Sequence, residues 1–219
     1  MEILAYLMLA MFFISAGIHL FASLRKNKPL RNKTKPFILL GLLGFYCCEA
    51  GPIVWLVVAA LLFSWLGDLL LIPEGVKWFT AGGISFMVSH VFFILSYLRQ
   101  TDLSAVRPLP AVSLVLLFTG ASLIFFRYLK PHLPKKLFWP MLLYLILNGL
   151  MNCSAWLRYM TLRNTGGLVT AAGALLFFLS DSSLFLVRFH KNSPLKTHFW
   201  VMLTYSLGEL LIILGLIMG

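Results

Sequence analysis

Two aspartates lie within long apolar stretches of the sequence, Asp68 in LLFSWLGDLLL and Asp181 in ALLFFLSDSSLF. A carboxylate inside a hydrocarbon layer costs on the order of 2.5–3.5 kcal/mol, so such a residue is a candidate for function. Two carboxyl groups in one poorly solvated cavity can differ in protonation, so that one donates a proton while the other stays ionised. A pair of this kind can hydrolyse acetal-type bonds through transition states that resemble an oxocarbenium ion.

Five further polar residues lie in apolar stretches: His90, Tyr144, Asn148, Asn152 and Glu209. His90 and Glu209 each belong to the apolar stretch that follows one of the aspartates. Tyr144 lies at a depth similar to that of the aspartates, and the two asparagines continue its helix face at intervals of four residues. The sequence predicts that these side chains line one cavity open to the cytoplasmic side. Hydrogen bonds between helices are the alternative explanation for each of them taken singly.

The composition indicates an integral membrane protein. Of the 219 residues, 60% are hydrophobic and 11% are charged, whereas a soluble domain carries about 25% charged residues. This excludes a soluble enzyme, a disordered chain and a disulfide scaffold, and predicts an all-α protein with a single transmembrane domain over residues 1–219. The cysteines have no metal-type spacing, and neither an H-E-x-x-H motif nor a serine elbow is present. We therefore expect neither a metal nor a cofactor.

Seven apolar stretches are long enough to cross a membrane, since a helical span needs roughly 20 residues. They cover residues 3–24, 52–72, 77–98, 108–129, 137–157, 166–188 and 197–218. An eighth stretch, 36–50, is short, but the basic residues favour it as a span. With this span the lysines and arginines divide 14 to 4 between the two sides, and without it they divide 10 to 8. Because cytoplasmic loops are rich in Lys and Arg, we predict eight transmembrane helices and two non-cytoplasmic termini.

The surroundings of the two aspartates also indicate an internal repeat. Each aspartate follows a leucine and a small residue, and the two are 113 positions apart, in the third and seventh predicted helices. These helices run in the same direction, as in a parallel repeat of two four-helix halves, 1–107 and 108–219. The short loops suggest the inner membrane of a bacterium. The net charge of +11 suits anionic membrane lipids, and no nucleic-acid partner is expected.

Six segments resemble the YhhN-like lysoplasmalogenase family: Lys35-Pro36, 64–71, 82–90, 144–151, 173–184 and 204–212. The resemblance covers nearly the whole chain. Its most specific part is the pair of helices in which Gly-Asp and Ser-Asp stand at matching places. The resemblance implies that Asp68 and Asp181 are the catalytic pair.

Other matched positions extend the implied site. Lys35, His90 and Tyr144 stand at positions that recur in the family, which implies roles in substrate binding. The remaining polar residues of the predicted cavity are given the same role: Asn148, Asn152 and Glu209. The family usually has Gln at the position of Glu209, so a carboxyl group there departs from the pattern and bears on the charge of the cavity.

The family reaction is hydrolysis of the vinyl ether bond of lysoplasmalogens to a fatty aldehyde and glycerophosphoethanolamine or glycerophosphocholine. Such a reaction needs a positioned acid to protonate the alkene carbon and a nearby negative charge to stabilise the oxocarbenium ion. The expected partner is a lysophospholipid entering from the cytoplasmic leaflet. Its phosphate would lie among the basic loops and its tail in the apolar centre of the bundle.

Two other functions fit parts of the sequence. A small-solute or proton-coupled transporter also uses internal repeats and buried carboxyl groups, and the deep positions of His90 and Glu209 favour it. Against it, the aspartates are predicted to lie nearer one surface than the midplane. An intramembrane aspartyl protease also uses two aspartates, but the first glycine of its G-x-G-D motif is replaced by Trp65, and Asp181 follows Ser180 instead of Tyr.

Overall fold

A computed structural model describes residues 2–190, 195 and 198–219 of the chain. Within these residues the chain is all-α, as the sequence predicts, with short 3₁₀ turns in two of the loops. The α-helices are α1 (Glu2–Leu24), α2 (Lys28–Glu49), α3 (Trp55–Leu70), α4 (Val76–Arg99), α5 (Pro108–Leu129), α6 (Phe138–Leu162), α7 (Thr165–Phe189) and α8 (Phe199–Ile217).

Six helices of the described residues are long and apolar enough to cross a membrane: α1, α4, α5, α6, α7 and α8. The chain is therefore an integral membrane protein. The helix α3 is apolar but has only 16 residues, and α2 carries four basic residues in its first turns. The eight-span topology and the location of the termini stay predictions.

The greatest difference from the predicted boundaries is at α2. The sequence predicts a span over 36–50, whereas the helix begins at Lys28. The Asn27 side chain caps this start by accepting a hydrogen bond from the Leu30 backbone N–H at 3.1 Å, and Pro29 suits a first helical turn. Lys35 is consequently held on a helix and not on a loop.

Consecutive helices pack as hairpins, α1 with α2, α3 with α4, α5 with α6, and α7 with α8. The bundle closes through contacts of α4 with α6, of α6 with α7, and of α8 with α1 and α2. This arrangement brings α3, in the first part of the chain, close to α7 and α8 in the last part.

The closest helix pair is α7 with α8, where glycines recur at seven-residue spacing on the facing sides: Gly166, Gly173, Gly208 and Gly215. A Cβ atom at Gly173 would lie only 2.6 Å from the Ile212 backbone nitrogen and 2.7 Å from the Gly208 carbonyl oxygen. Small residues allow this approach of two backbones inside a membrane. Ser180, seven residues after Gly173, donates a hydrogen bond to the Val201 carbonyl at 2.9 Å. This glycine seam fixes the register that aligns the next residue, Asp181, with the start of α8.

Candidate active site

Asp68 and Asp181 line the same cavity, although 113 positions separate them in the sequence. Its volume is about 110 Å³, and its walls come from α1, α2, α3, α4, α7 and α8. The two aspartates are 2% and 5% exposed, respectively. The carboxyl groups of α3 and α7 thus share one small, poorly solvated space.

Asp68 is paired with a cation. The Lys35 ammonium nitrogen lies 3.1 Å from Asp68 Oδ1, and the Tyr205 hydroxyl donates a hydrogen bond to Oδ2 at 2.9 Å. Trp65, one turn before Asp68 on α3, donates its indole N–H to the Pro36 carbonyl at 2.9 Å. This bond holds the start of α2 against α3 and thereby positions Lys35 beside the carboxylate.

Asp181 is held by neutral donors. The Tyr144 hydroxyl and the Asn148 amide donate hydrogen bonds to its Oδ2 at 2.6 and 2.7 Å, respectively. Since the two donors are four residues apart on α6, one helix face supplies both. His90 Nε2 lies 3.8 Å from the same oxygen. In the part of the chain that the structure describes, no hydrogen bond is recorded to Asp181 Oδ1.

The second asparagine of α6 supports the first and does not reach the cavity. Asn152 donates its amide to the Asn148 backbone carbonyl at 3.1 Å and to the Asn148 side-chain oxygen at 3.3 Å. Its side chain is fully buried. Asn152 therefore orients the amide that binds Asp181.

His90 and Glu209 lie deeper than the cavity wall. The His90 ring is fully buried and packs edge-on against Tyr144 and Phe177, with ring centroids 5.3 and 5.2 Å apart. Glu209 is also fully buried, and neither of its carboxyl oxygens has a hydrogen-bond partner among the described residues. Of the eight predicted site residues, only Lys35, Asp68 and Asp181 line the cavity itself.

The mouth of the cavity is basic. It is lined by His19, Arg31, Lys35, Arg188 and His198. Burial lowers the pKa of His198, which precedes α8, to about 4. The positive charges of Arg31, Lys35 and Arg188, which line the same cavity, lower this pKa further. The mouth therefore brings together three basic side chains, Arg31, Lys35 and Arg188.

Sequence reasoning missed Tyr205 and most of the mouth. Tyr205 lies four residues before Glu209, which is the spacing of Tyr144 and Asn148, and this spacing was a usable signal. The charge count placed Arg31 and Arg188 on one side of the membrane but not at one site. Only folding shows that the first turns of α2 and the last turn of α7 meet at the same opening.

The described residues contain no group of three His, Cys, Asp or Glu side chains arranged to hold a metal ion. The polar atoms around the aspartates are instead an ammonium, two phenols and an amide. These groups can orient a carboxyl group, keep one of the pair ionised and bind an anion at the opening. The arrangement is suited to moving a proton.

The chain is similar to several curated proteins. It is 32% identical over 186 residues to the lysoplasmalogenase TMEM86B of Mus musculus, which covers 84% of this chain and 73% of the relative. It is 29% identical over 213 residues to the lysoplasmalogenase TMEM86B of Rattus norvegicus, covering 94% and 82%, respectively. The lysoplasmalogenase of Mycobacterium bovis is 33% identical over 171 residues, covering 75% and 61%. No solved structure matches the chain. The YhhN family model matches residues 30–216, and the chain therefore belongs to the YhhN family.

Proposed function

We propose that this chain is a membrane-embedded hydrolase that cleaves the vinyl ether bond of lysoplasmalogens, by acid and base catalysis from Asp68 and Asp181. Its similarity to curated lysoplasmalogenases over most of the chain supports an enzyme of this type. The observation that carries the proposal is the shared cavity. Two carboxyl groups line one space there and have opposite surroundings, one beside a cation and one beside neutral donors.

The surroundings assign a role to each carboxyl group. Lys35, 3.1 Å from Asp68, favours the ionised form of that carboxyl group. Tyr144 and Asn148 both donate hydrogen bonds to Oδ2 of Asp181. No described residue donates a hydrogen bond to Oδ1, so this oxygen can carry a proton toward the substrate. Asp181 is therefore the acid, and Asp68 is the base and the stabilising charge.

The reaction then needs only these two groups and one water molecule. Asp181 donates its proton to the second carbon of the alkenyl chain, which leaves an oxocarbenium ion across the first carbon and the ether oxygen. Asp68 stabilises this positive charge and accepts a proton from the water that attacks the first carbon. The hemiacetal then collapses: the leaving glyceryl oxygen takes the proton held by Asp68, and the hemiacetal hydroxyl gives its proton to Asp181. The fatty aldehyde and the glycerophospho-alcohol are released, and both carboxyl groups return to their starting states.

The basic mouth is suited to the phosphate of the substrate. Arg31 and Arg188 supply guanidinium groups, which bind phosphate oxygens in a fork geometry. Lys35 extends from this mouth to Asp68 and so joins the phosphate region to the carboxyl groups. In the predicted topology this mouth faces the cytoplasm, in a bacterial inner membrane.

The test is hydrolysis by the purified protein in detergent. An alkenyl lysophosphatidylethanolamine and its saturated alkyl analogue are incubated with the protein, and the products are measured by mass spectrometry. We expect aldehyde from the alkenyl lipid alone, because a saturated ether has no alkene carbon to protonate. Cleavage of both lipids, or of neither, would contradict the proposal.

Two isotope experiments test which carbon is protonated and which carbon water attacks. In deuterated water the aldehyde should carry deuterium on the carbon next to its carbonyl group. In water enriched in the heavy oxygen isotope the glycerophospho-product should stay unlabelled, because water attacks the alkenyl carbon. A transporter releases no aldehyde at all, so the same assay separates the rival function.

A further inference from the structure

The centre of the bundle is filled by side chains. Leu61, Phe93, Phe177 and Ile212 are all fully buried there, and the region beside the aspartates holds His90. A long hydrocarbon chain bound at the aspartates would have to displace these groups. The predicted place for the tail of the substrate, the apolar centre, is therefore unsuitable.

A shallow apolar groove lies on the side of the bundle, between α4 and α6. Its α4 wall is one helix face: Phe79, Thr80, Gly83, Ile84 and Met87. Its opposite wall is formed by Leu137, which precedes α6, and by Pro140, Met141 and Tyr144 of α6, and Phe185 of α7 also lines it. The Thr80 hydroxyl bonds the Val76 carbonyl of its own helix. The surface of the groove is therefore almost entirely apolar.

The groove meets the catalytic cavity at two aromatic rings. Phe79 lines both spaces, and its ring lies edge-on to Phe185 with centroids 6.2 Å apart. Tyr144 lines the groove with its ring, while its hydroxyl is 2.6 Å from Asp181 Oδ2. A chain that lies in the groove therefore ends within reach of Asp181.

We propose that this groove binds the hydrocarbon chain of a single-chain phospholipid, which enters sideways from the membrane between α4 and α6. The assignment rests on the proposed function. The groove shares Phe79 with a cavity that is also lined by Arg31 and Arg188, so the two side by side suit an amphiphile with one phosphate and one chain. In this arrangement the reacting alkenyl carbons would lie beside the two aspartates, between the phosphate and the rest of the chain.

The position of the groove along the helices fits this entry. Gly83 is seven residues from the start of α4 and Tyr144 is six residues from the start of α6. At 1.5 Å per residue both lie roughly 10 Å from the starts of their helices, near which Lys77 and Lys136 stand in the sequence. The groove encloses only about 30 Å³, so a chain in it stays in contact with neighbouring lipids. Ile84 at its rim is 50% exposed, as expected for a surface that faces lipid.

Gly83 offers a direct test. A Cβ atom there would meet no other atom within 4 Å, and Gly83 lines the groove, so we expect the ring of Gly83→Phe to extend from open space into the groove. We expect kcat/KM for long-chain alkenyl lysophospholipids to fall about tenfold or more, the loss when about two methylenes leave an apolar site. A propenyl analogue, whose chain does not reach the groove, should be cleaved at nearly the wild-type rate.

The matched control is Gly120→Phe on α5. A Cβ atom at Gly120 also meets nothing within 4 Å, and α5 takes no part in the groove. This variant should behave as the wild type with both substrates. Wild-type activity of Gly83→Phe on the long-chain lipid, or equal loss on both lipids, would overturn the groove assignment.

A binding experiment separates this inference from the proposed reaction. The wild-type protein in detergent is irradiated with a saturated alkyl lysophospholipid that carries a diazirine at the end of its chain. We expect labelled peptides from residues 79–87 and 137–144, and loss of that label in Gly83→Phe. Labelling elsewhere in both proteins would refute the groove even if hydrolysis is found. Labelling of the groove by a protein without hydrolytic activity would leave the groove standing and refute the reaction.

Discussion

The two aspartates of the cavity have nearly equal burial but different neighbours. Asp68 accepts one hydrogen bond from Tyr205 and has a lysine ammonium on its other oxygen. Asp181 accepts two hydrogen bonds, both on one oxygen, from Tyr144 and an amide. The sequence around each aspartate is alike, so the difference comes from other helices. What decides the chemistry of a buried carboxyl group is its partners across the bundle.

The largest expected effect is that of Asp181→Asn. The amide oxygen of the new side chain still accepts hydrogen bonds from Tyr144 and Asn148, but it supplies no acid. We expect turnover of alkenyl lysophospholipid to fall by about 10³-fold or more, the upper part of the range for general acids. Binding of the saturated alkyl analogue, measured by calorimetry, serves as the control and should persist. Turnover at the wild-type rate would remove Asp181 from the mechanism.

Asp68→Asn should have the next largest effect. It removes the charge that stabilises the oxocarbenium ion, for which we expect a loss of about 10²–10³-fold in kcat. It also leaves Lys35 in a largely buried place without its carboxylate, which lowers the stability of the fold. The double variant Lys35→Met/Asp68→Asn separates the two effects. Its melting temperature should recover while its activity should not, and recovery of activity would contradict the role given to Asp68.

Lys35→Met sharpens the comparison by making the two carboxyl groups more alike. Without the ammonium group, Asp68 takes up a proton more readily as the pH falls. Activity that depends on ionised Asp68 is then lost at a higher pH, so the acidic limb of the pH–rate profile should move to higher pH. Lys33→Met, on the exposed side of the same helix, is the control and should leave the profile unchanged. An unaltered profile in Lys35→Met would show that the lysine does not set the charge of Asp68.

The smallest effects are expected from the two tyrosines, which form a matched pair. Tyr205→Phe removes a donor to an ionised carboxylate and should reduce kcat by about 10- to 100-fold, whereas Tyr144→Phe removes a donor to a protonated one and should cost less than about tenfold. Circular dichroism and melting temperatures of both variants check that the fold is intact. If Tyr144→Phe is the more damaging variant, the roles of the two aspartates are reversed.

Much of the fold could be predicted because it follows from local properties of the chain. The predicted boundaries of α4 and α5 agree with the structure within one residue. Apolar spans end where charged residues and prolines begin, so their limits can be read from the sequence. The predicted start of α2 was wrong by eight residues, because the first two turns of this helix carry four basic residues and give no hydropathy signal. The cap at Asn27 was the available clue.

The site could be predicted in part. Residue type and depth identified the two aspartates as candidates, and the structure brings them to one cavity. Depth does not determine which way a side chain points around its helix axis, so Asn152 and Glu209 were assigned to a cavity that they do not line. The place of the substrate tail stays a prediction, and the groove between α4 and α6 is proposed in its stead for a related reason. A hydropathy pattern shows that the centre is apolar but not that aromatic side chains already fill it.

The glycine seam between α7 and α8 has a consequence for how the protein assembles in the membrane. The two helices are neighbours in the sequence and interlock through their own backbones, so they can join soon after insertion. This pair of helices then carries Asp181 on α7 and Tyr205 on α8 before any contact with the other helices is needed. Asp68 and Lys35 are brought in by the separate pairing of α2 with α3. The proposed site is thus built from two pieces, each held by a local contact, and it becomes complete only when they pack together.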